Sequence, residues 1–334
     1  MRWPRRCDQV AASALGRLSQ VKPAVKSAVL VFSAPVAALL LHGLAEAAPA
    51  APSPLVVPFD FSRGAIDLEV KVHGQPLRMI LDTGVDPSVI DLSRAQALGL
   101  KIDRGDAGEA TGFGEGKGAQ VFPGVIDQLT IDGQPFAAFD TLASDMSGLS
   151  AGYGRPLDGV IGYSFLADKT VLIDYPGQTV AFLNNAGQAK GLTATCRQRW
   201  STSLKTVDSF PIIPGFRFGA ARAPVSLDTG SNGAVGLFKS ALGLPGVKAS
   251  LTESGSVTRT GARGEAKAKS YVFKAPVGFG PFTATDTPMS VYSEAGSTKT
   301  RVANVGNKLM AQMKLKVLFD YRGKRMVFYG ACGG

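Results

Sequence analysis

Two aspartates stand in near-identical settings, "MILDTGVDPSVID" at residues 79–91 and "VSLDTGSNGAVGL" at 225–237. In each, an apolar run stops at an acid followed by threonine and glycine. One Asp-Thr-Gly is a weak signal, because Asp opens turns by bonding its own backbone and Gly supplies the positive φ that turns often need. Two copies, with Asp82 and Asp228 in equivalent positions, ask for a chemistry that uses paired carboxylates. Like charges held side by side cannot both ionise easily, so such a pair keeps one proton between its members over a wide pH range. The ionised member then draws a proton from a water that attacks a peptide carbonyl. The protonated member donates to the carbonyl oxygen and later to the leaving nitrogen.

Competing chemistries lack their residues. His42 and His73 are the only histidines, too few for a multi-His metal site or for a Ser-His-Asp arrangement with a choice of base. No Cys-x-x-Cys and no Walker loop occurs. "GFGEGKG" (112–118) has the wrong spacing for a dinucleotide loop and no helical pattern after it, so it reads as a mobile loop. The expectation is a site with no metal and no cofactor.

The elements that must carry the two acids repeat with them. Downstream of Asp82 lies "DGVIGYSFLADKTVLIDYPGQTVAFL" (158–183), and downstream of Asp228 "VANVGNKLMAQMKLKVLFDYRGKRMVFYG" (302–330). The same 92 residues separate Asp82 from Asp174 and Asp228 from Asp320. "SRAQALGL" (93–100) matches "FKSALGL" (238–244), apolar-apolar-Gly elements end at Gly162 and Gly306, and Gly74 and Gly219 mark turns before the strands that lead into the motifs. Alternation in "AIDLEVKV", short apolar runs such as "TVLIDY" and "KVLFDY", and the turn residues after them predict strands. Only 93–100 and 238–244 have a helical pattern. The fold class expected is mainly β, two duplicated lobes with a cleft between them, and 45% hydrophobic with 19% charged residues excludes disorder.

Residues 1–47 have an export-signal layout: Arg2, Arg5, Arg6, Arg17, Lys22 and Lys26, then an apolar stretch from Ala28 to Leu41, then Ala45-Glu46-Ala47. The alternative is an uncleaved anchor, although the apolar run is shorter than the ~20 residues a spanning helix needs. A Pro/Ala-rich spacer follows at 48–56, and the expected division places an N-terminal lobe at 57–190, a linker at 191–203 and a C-terminal lobe at 204–334. Charge is uneven, since residues 48–196 carry 10 basic and 17 acidic side chains and 197–334 carry 20 and 7. The basic half lacks a recognition-helix or aromatic-platform motif, so its charges read as solvated strand faces with no nucleic-acid partner. Cys196 and Cys332, at the junction and at the chain end, form a disulfide or stay as two thiols; sequence does not fix their separation.

These residues give the chain a resemblance to two-lobed, single-chain aspartic proteases of the pepsin and retropepsin type, in particular the bacterial exported group. It rests on apolar-Leu-Asp-Thr-Gly at 81–84 and 227–230 and on apolar-apolar-Gly at 160–162 and 304–306, and it covers nearly all of the chain beyond the signal. The resemblance implies that Asp82 and Asp228 are catalytic. It implies that Thr83 and Thr229 lock the pair across the lobes, that Gly84 and Gly230 let backbone amides approach, and that Ser231 supports a carboxylate oxygen. It also places flaps at Gly112, Phe113 and Gly114 and at Thr260 and Gly261.

Three positions depart from the family pattern: Val85 where the second copy has Ser231, Phe113 where pepsins carry a flap tyrosine, and Asn304 inside an otherwise apolar element. The Ser231 hydroxyl is expected to favour charge on Asp228, leaving Asp82 as the proton carrier. The function implied is an exported aspartic endopeptidase, monomeric, periplasmic or secreted, acting on an extended peptide or protein. Membrane contact is expected only if the N-terminal segment stays uncleaved. The alternative is a catalytically weak or inactive peptide-binding protein that keeps the fold.

Overall fold

The structure is a computed structural model that describes residues 53–207, 210–292 and 300–333; residues 1–47, read above as an export signal, lie outside the described residues. Among them, no helix is long and apolar enough to cross a membrane.

Alternation of apolar and polar residues is visible in the burial of Asp67–Val72, where Leu68, Val70 and Val72 face inward while Glu69 and Lys71 face solvent. This strand pairs antiparallel with Gln75–Leu81, the run that ends at the first Asp-Thr-Gly. Gln75–Leu81 in turn pairs parallel with Gly159–Ile161, which pairs antiparallel with Ser88–Asp91. In the second half, Phe210–Phe218 pairs antiparallel with Ala221–Leu227, Ala221–Leu227 parallel with Ala303–Val305, and Ala303–Val305 antiparallel with Val235–Leu237.

The copying extends to whole sheets. One has nine strands and runs from the Gly108–Glu109 and Gln120–Ile126 pair to the Leu129–Ile131 and Gln134–Pro135 hairpin. The other runs from the Leu251–Gly261 and Gly264–Phe273 hairpin to the Val277–Phe279 and Phe282–Ala284 hairpin, in the same strand order, with Thr206–Val207 added to one side. A third sheet joins the halves: Thr170–Asp174 pairs antiparallel with Lys316–Asp320, setting Leu172 opposite Leu318. The strands that carry the matched "IDY" and "FDY" therefore cross at Leu172 and Leu318, with Asp174 opposite Lys316 and Asp320 opposite Thr170. A largely continuous core of aromatic and aliphatic side chains fills both halves, with Phe165, Phe216, Phe273 and Phe319 among its fully buried members.

Three expectations need revision. Residues 191–203 are more than a linker, because Cys196–Ser203 is the outer strand of the shared sheet, paired with Arg325–Cys332. Trp200 anchors it by packing its ring on Phe279 and Phe328. Leu55–Pro58, which begins inside the segment read as spacer, closes the opposite side of that sheet. The two helical segments also differ. Leu92–Ala97 is an α-helix whose N-cap Asp91 accepts from the amides of Ser93 and Arg94, whereas Lys239–Gly243 stays a 3₁₀ turn. Phe238 stands at its cap with no acceptor. Short helices at Ser147–Tyr153, Tyr163–Leu166 and Asn307–Gln312 carried no strong periodic signal.

Cys196 and Cys332 are disulfide-bonded across 136 residues of sequence, tying the last strand to the inter-lobe segment. A cross-link of that reach stabilises chiefly by restricting the unfolded chain, typically by about 2–4 kcal/mol. Replacing both cysteines with serine is expected to lower the melting temperature by roughly 5–15 °C. In a thermal melt, reductant should lower the wild type toward the double variant and leave the variant unchanged.

Candidate active site

Each Asp-Thr-Gly loop is hung from its apolar-apolar-Gly strand. The Asp82 amide donates to the Ile161 carbonyl and the Asp228 amide to the Val305 carbonyl, both at 2.9 Å. Beyond each acid the chain turns back, and the Gly84 amide donates to Asp82 Oδ1 (2.7 Å) as the Gly230 amide does to Asp228 Oδ1 (2.9 Å). The threonines bond across the axis. Thr229 Oγ1 donates to the Leu81 carbonyl (2.8 Å) and accepts from the Thr83 amide (2.9 Å). Thr83 Oγ1 donates to the Leu227 carbonyl and accepts from the Thr229 amide, both at 3.3 Å. Both threonines are buried, so these bonds are sheltered from water and fix one loop against the other.

The result lines one cavity with both carboxyl groups, near enough for the charge of Asp228 to act on Asp82. Burial, and after it the like charge of Asp228, pushes the Asp82 carboxyl well above the ordinary aspartate value of 3.8. The two glycines are not equivalent. A Cβ on Gly230 would lie 2.1 Å from Asp82 Oδ2, so the backbone there packs directly on the opposing acid. A Cβ on Gly84 would instead meet the Phe210 ring at 2.2 Å.

The residues after the glycines behave differently from expectation. Ser231 reaches Asp228 through its backbone amide, which donates to Oδ1 at 3.1 Å, while its hydroxyl accepts from the Gly233 amide. Val85 packs in an apolar cluster with Ile80, Val89, Met146 and Leu157. The strongest side-chain support for Asp228 comes from Asn304, whose Nδ2 donates to Oδ2 at 2.6 Å. In the sequence Asn304 stands out only as a departure from an apolar element. Its signal was the register, since Asn304 pairs with Ser226 where the first half pairs Val160 with Ile80. A second missed support is Asn307, which donates from Nδ2 to the Thr229 carbonyl (2.6 Å) and accepts from Tyr175 Oη (2.7 Å).

The aspartate pair lies on a cavity of about 720 Å³. Its walls differ in kind: Ile80, Leu157 and Val160 come from the first half, and Phe210, Arg301 and Asn304 from the second. The two flap candidates line the same cavity and touch each other. Arg263 donates its amide to the Phe113 carbonyl (2.9 Å), and the Gly116 amide donates to the Arg263 carbonyl (2.7 Å). Gly261 lies so close to Phe113 that an added Cβ would stand 2.5 Å from its carbonyl oxygen. Phe113 also meets Tyr292 edge to face, with ring centroids 5.0 Å apart. The long hairpin belongs to the second half, Leu251–Gly261 with Gly264–Phe273. Its partner, around Gly112 and Gly114, is a loop between the two-residue strand Gly108–Glu109 and Gln120–Ile126.

Two topologically equivalent β lobes that bring one Asp-Thr-Gly loop each to a common cavity define the duplicated acid-protease fold. Residues 68–165, within the first lobe, match the family model described as aspartyl protease. Among solved structures it is similar to basic 7S globulin from soybean, at 12% sequence identity and a TM-score of 0.47, over 83% of this chain and 94% of that one. No curated protein matches the sequence.

Proposed function

We propose that the chain is an aspartic endopeptidase that hydrolyses peptide bonds with a water activated between Asp82 and Asp228. The observation that carries this reading is that Asp82 and Asp228, one from each lobe, line a single cavity, each held by its own glycine amide. A pair sharing one proton supplies a base and an acid at once. The charged member takes a proton from water as the oxygen attacks the carbonyl carbon, and the neutral member protonates the carbonyl oxygen. Breakdown returns a proton to the leaving nitrogen, and the pair regains its single proton.

Extended peptides fit this setting, because strand-like segments can bond backbone to backbone and place alternate side chains to either side. Apolar walls around Ile80, Leu157 and Phe210 favour apolar side chains next to the scissile bond. One chain supplies both acids, so the proposed active form is a monomer. The Cys196–Cys332 disulfide supports an oxidising compartment outside the cytoplasm.

The test is a diverse peptide library offered to the purified chain at several pH values, with Asp82→Asn and Asp228→Asn alongside. Cleavage by the wild type that both variants lose supports the proposal; cleavage that survives in either overturns it. Peptide binding without cleavage would instead favour a binding protein. Gly230→Ala adds a specific expectation. Its Cβ must displace Asp82, and a misplacement of about 1 Å costs about 10²-fold in rate. Gly84→Ala, which meets only the Phe210 ring edge, should cost less, and kcat/KM for the two variants checks the order.

A further inference from the structure

The two lobes match strand for strand, yet at one place beside the aspartate pair they differ in polarity. In the first lobe the strand before Asp82 sets Ile80 opposite Val160, and Leu157 stands nearby in the same apolar cluster. In the second lobe the equivalent pair is Ser226 opposite Asn304, and three residues before Asn304, as Leu157 stands before Val160, comes Arg301. Three apolar positions have become a polar chain.

That chain has a direction. Arginine can only donate. Arg301 Nη1 donates to Ser226 Oγ at 2.5 Å, and Ser226 Oγ donates to Asn304 Oδ1 at 2.7 Å, the shorter contact of its two acceptors. With its oxygen so occupied, Asn304 turns its Nδ2 to Asp228 Oδ2. The guanidinium is held in turn over the Phe210 ring, 4.2 Å from its centroid, and against Phe238. Every donor in the series points toward Asp228, and the series ends on an N–H that cannot accept a proton back. Asp228 therefore receives three donors, from Gly230, Ser231 and Asn304. Among the described residues, Asp82 receives one, from Gly84.

We infer that Asn304, oriented by Ser226 and Arg301, is a positioning residue that holds Asp228 as the charged member of the pair and thereby makes Asp82 the proton carrier. The inference rests on the endopeptidase reading and deepens it, because it assigns the attacking water to Asp228 as base and the substrate carbonyl to Asp82 as acid. Asn304 itself acts through Asp228. Besides Asp82, the titratable groups whose fields reach Asp228 are Tyr175 and Tyr292, and burial keeps both hydroxyls protonated above the usual tyrosine range. The cations lining the same cavity, among the described residues, are Arg301, Lys117 and Arg259, the last bonded to Asn232 Oδ1.

The test uses the full chain with Asn304→Val, which restores the first lobe's residue type, and Asn304→Ala, which makes no demand for space. Two readouts run in parallel across pH: carboxyl-carbon NMR shifts of Asp82 and Asp228, and kcat/KM on a peptide that the wild type cleaves. Removing a donor from an anion raises the pH at which that anion takes its proton. The pair's first ionisation creates the charge on Asp228, so the acidic limb should move up by about one pH unit, a tenfold change in the proton equilibrium. The second ionisation leaves Asp228 charged on both sides, so the basic limb should stay. A basic limb that rises while the acidic limb stays would place the proton on Asp228 and overturn the inference. So would two fixed limbs in a folded variant, with only the melting temperature lowered, since Asn304 would then merely pack. If no peptide is cut, the endopeptidase reading fails while the NMR titration still decides which acid holds the proton.

Discussion

Asp82→Asn should abolish peptidase activity, by about 10²–10⁴-fold or more, and at neutral pH it should also raise the melting temperature. The two effects share a cause. The folded protein holds the Asp82 carboxyl above its ordinary value through burial and the charge of Asp228. An acid raised on folding keeps its proton in the native state after the unfolded chain has lost it. Its favourable contribution is complete below the ordinary aspartate range and is lost as pH rises through the native value. At neutral pH the wild type bears that loss, and asparagine, which never ionises, does not. The gain in melting temperature should therefore be smallest near pH 4 and grow upward, by about 2–4 °C for each kcal/mol of relieved strain. Asp228→Asn should cost as much activity with a smaller thermal gain, because it discards three donors arranged for an anion. Paired melts and kcat/KM measurements from pH 4 to 8 check both. A destabilised Asp82→Asn at neutral pH would contradict the buried, like-charge account.

How far the sequence discloses this site depends on how local each interaction is. The repeated Leu-Asp-Thr-Gly and the equal 92-residue spacings identify two copies of one unit, and the strand orders of the two large sheets are the physical form of that repeat. Asp82 and Asp228 are brought together because each motif ends an inner strand next to the axis. Asn304 was visible as an oddity but not as a support, because its partner Ser226 is 78 residues away and meets it only through parallel strand register. Ser231 misled for the opposite reason. Its type suggested a hydroxyl donor, whereas the tight turn delivers its backbone amide to Asp228 and turns the hydroxyl toward Gly233. The outer strand Cys196–Ser203 was hidden by its polar composition, natural for a sheet edge with one face in water. The meeting of the hairpin with the Gly112–Gly114 loop is likewise a tertiary contact, made through backbone groups that carry no sequence signature.

The two threonines give the second large effect, and it should be unequal. Thr229→Val keeps the shape of the side chain but deletes a hydroxyl that both donates to Leu81 and accepts from the Thr83 amide, at 2.8 and 2.9 Å. Those partners lie on the opposite lobe in a buried seam and have no water to replace the lost bonds. Leaving a donor and an acceptor unsatisfied costs about 1–3 kcal/mol each, so Thr229→Val should lose about 2–5 kcal/mol and roughly 5–15 °C in melting temperature. Thr83→Val should lose less, since both of its bonds are 3.3 Å long, beyond the preferred N–H···O distance of about 2.9–3.0 Å. Thr229→Ser keeps the hydroxyl and gives up one methyl, about 0.8 kcal/mol. Activity should follow the same order, because the loop that Thr229 holds is the one that sets Gly230 against Asp82. Denaturant melts and kcat/KM on the three variants test this together. Equal losses for Thr83→Val and Thr229→Val would mean that the two arms of the grip share their load evenly. A Thr229→Ser variant as damaged as Thr229→Val would move the cause from hydrogen bonding to the packing of the methyl group.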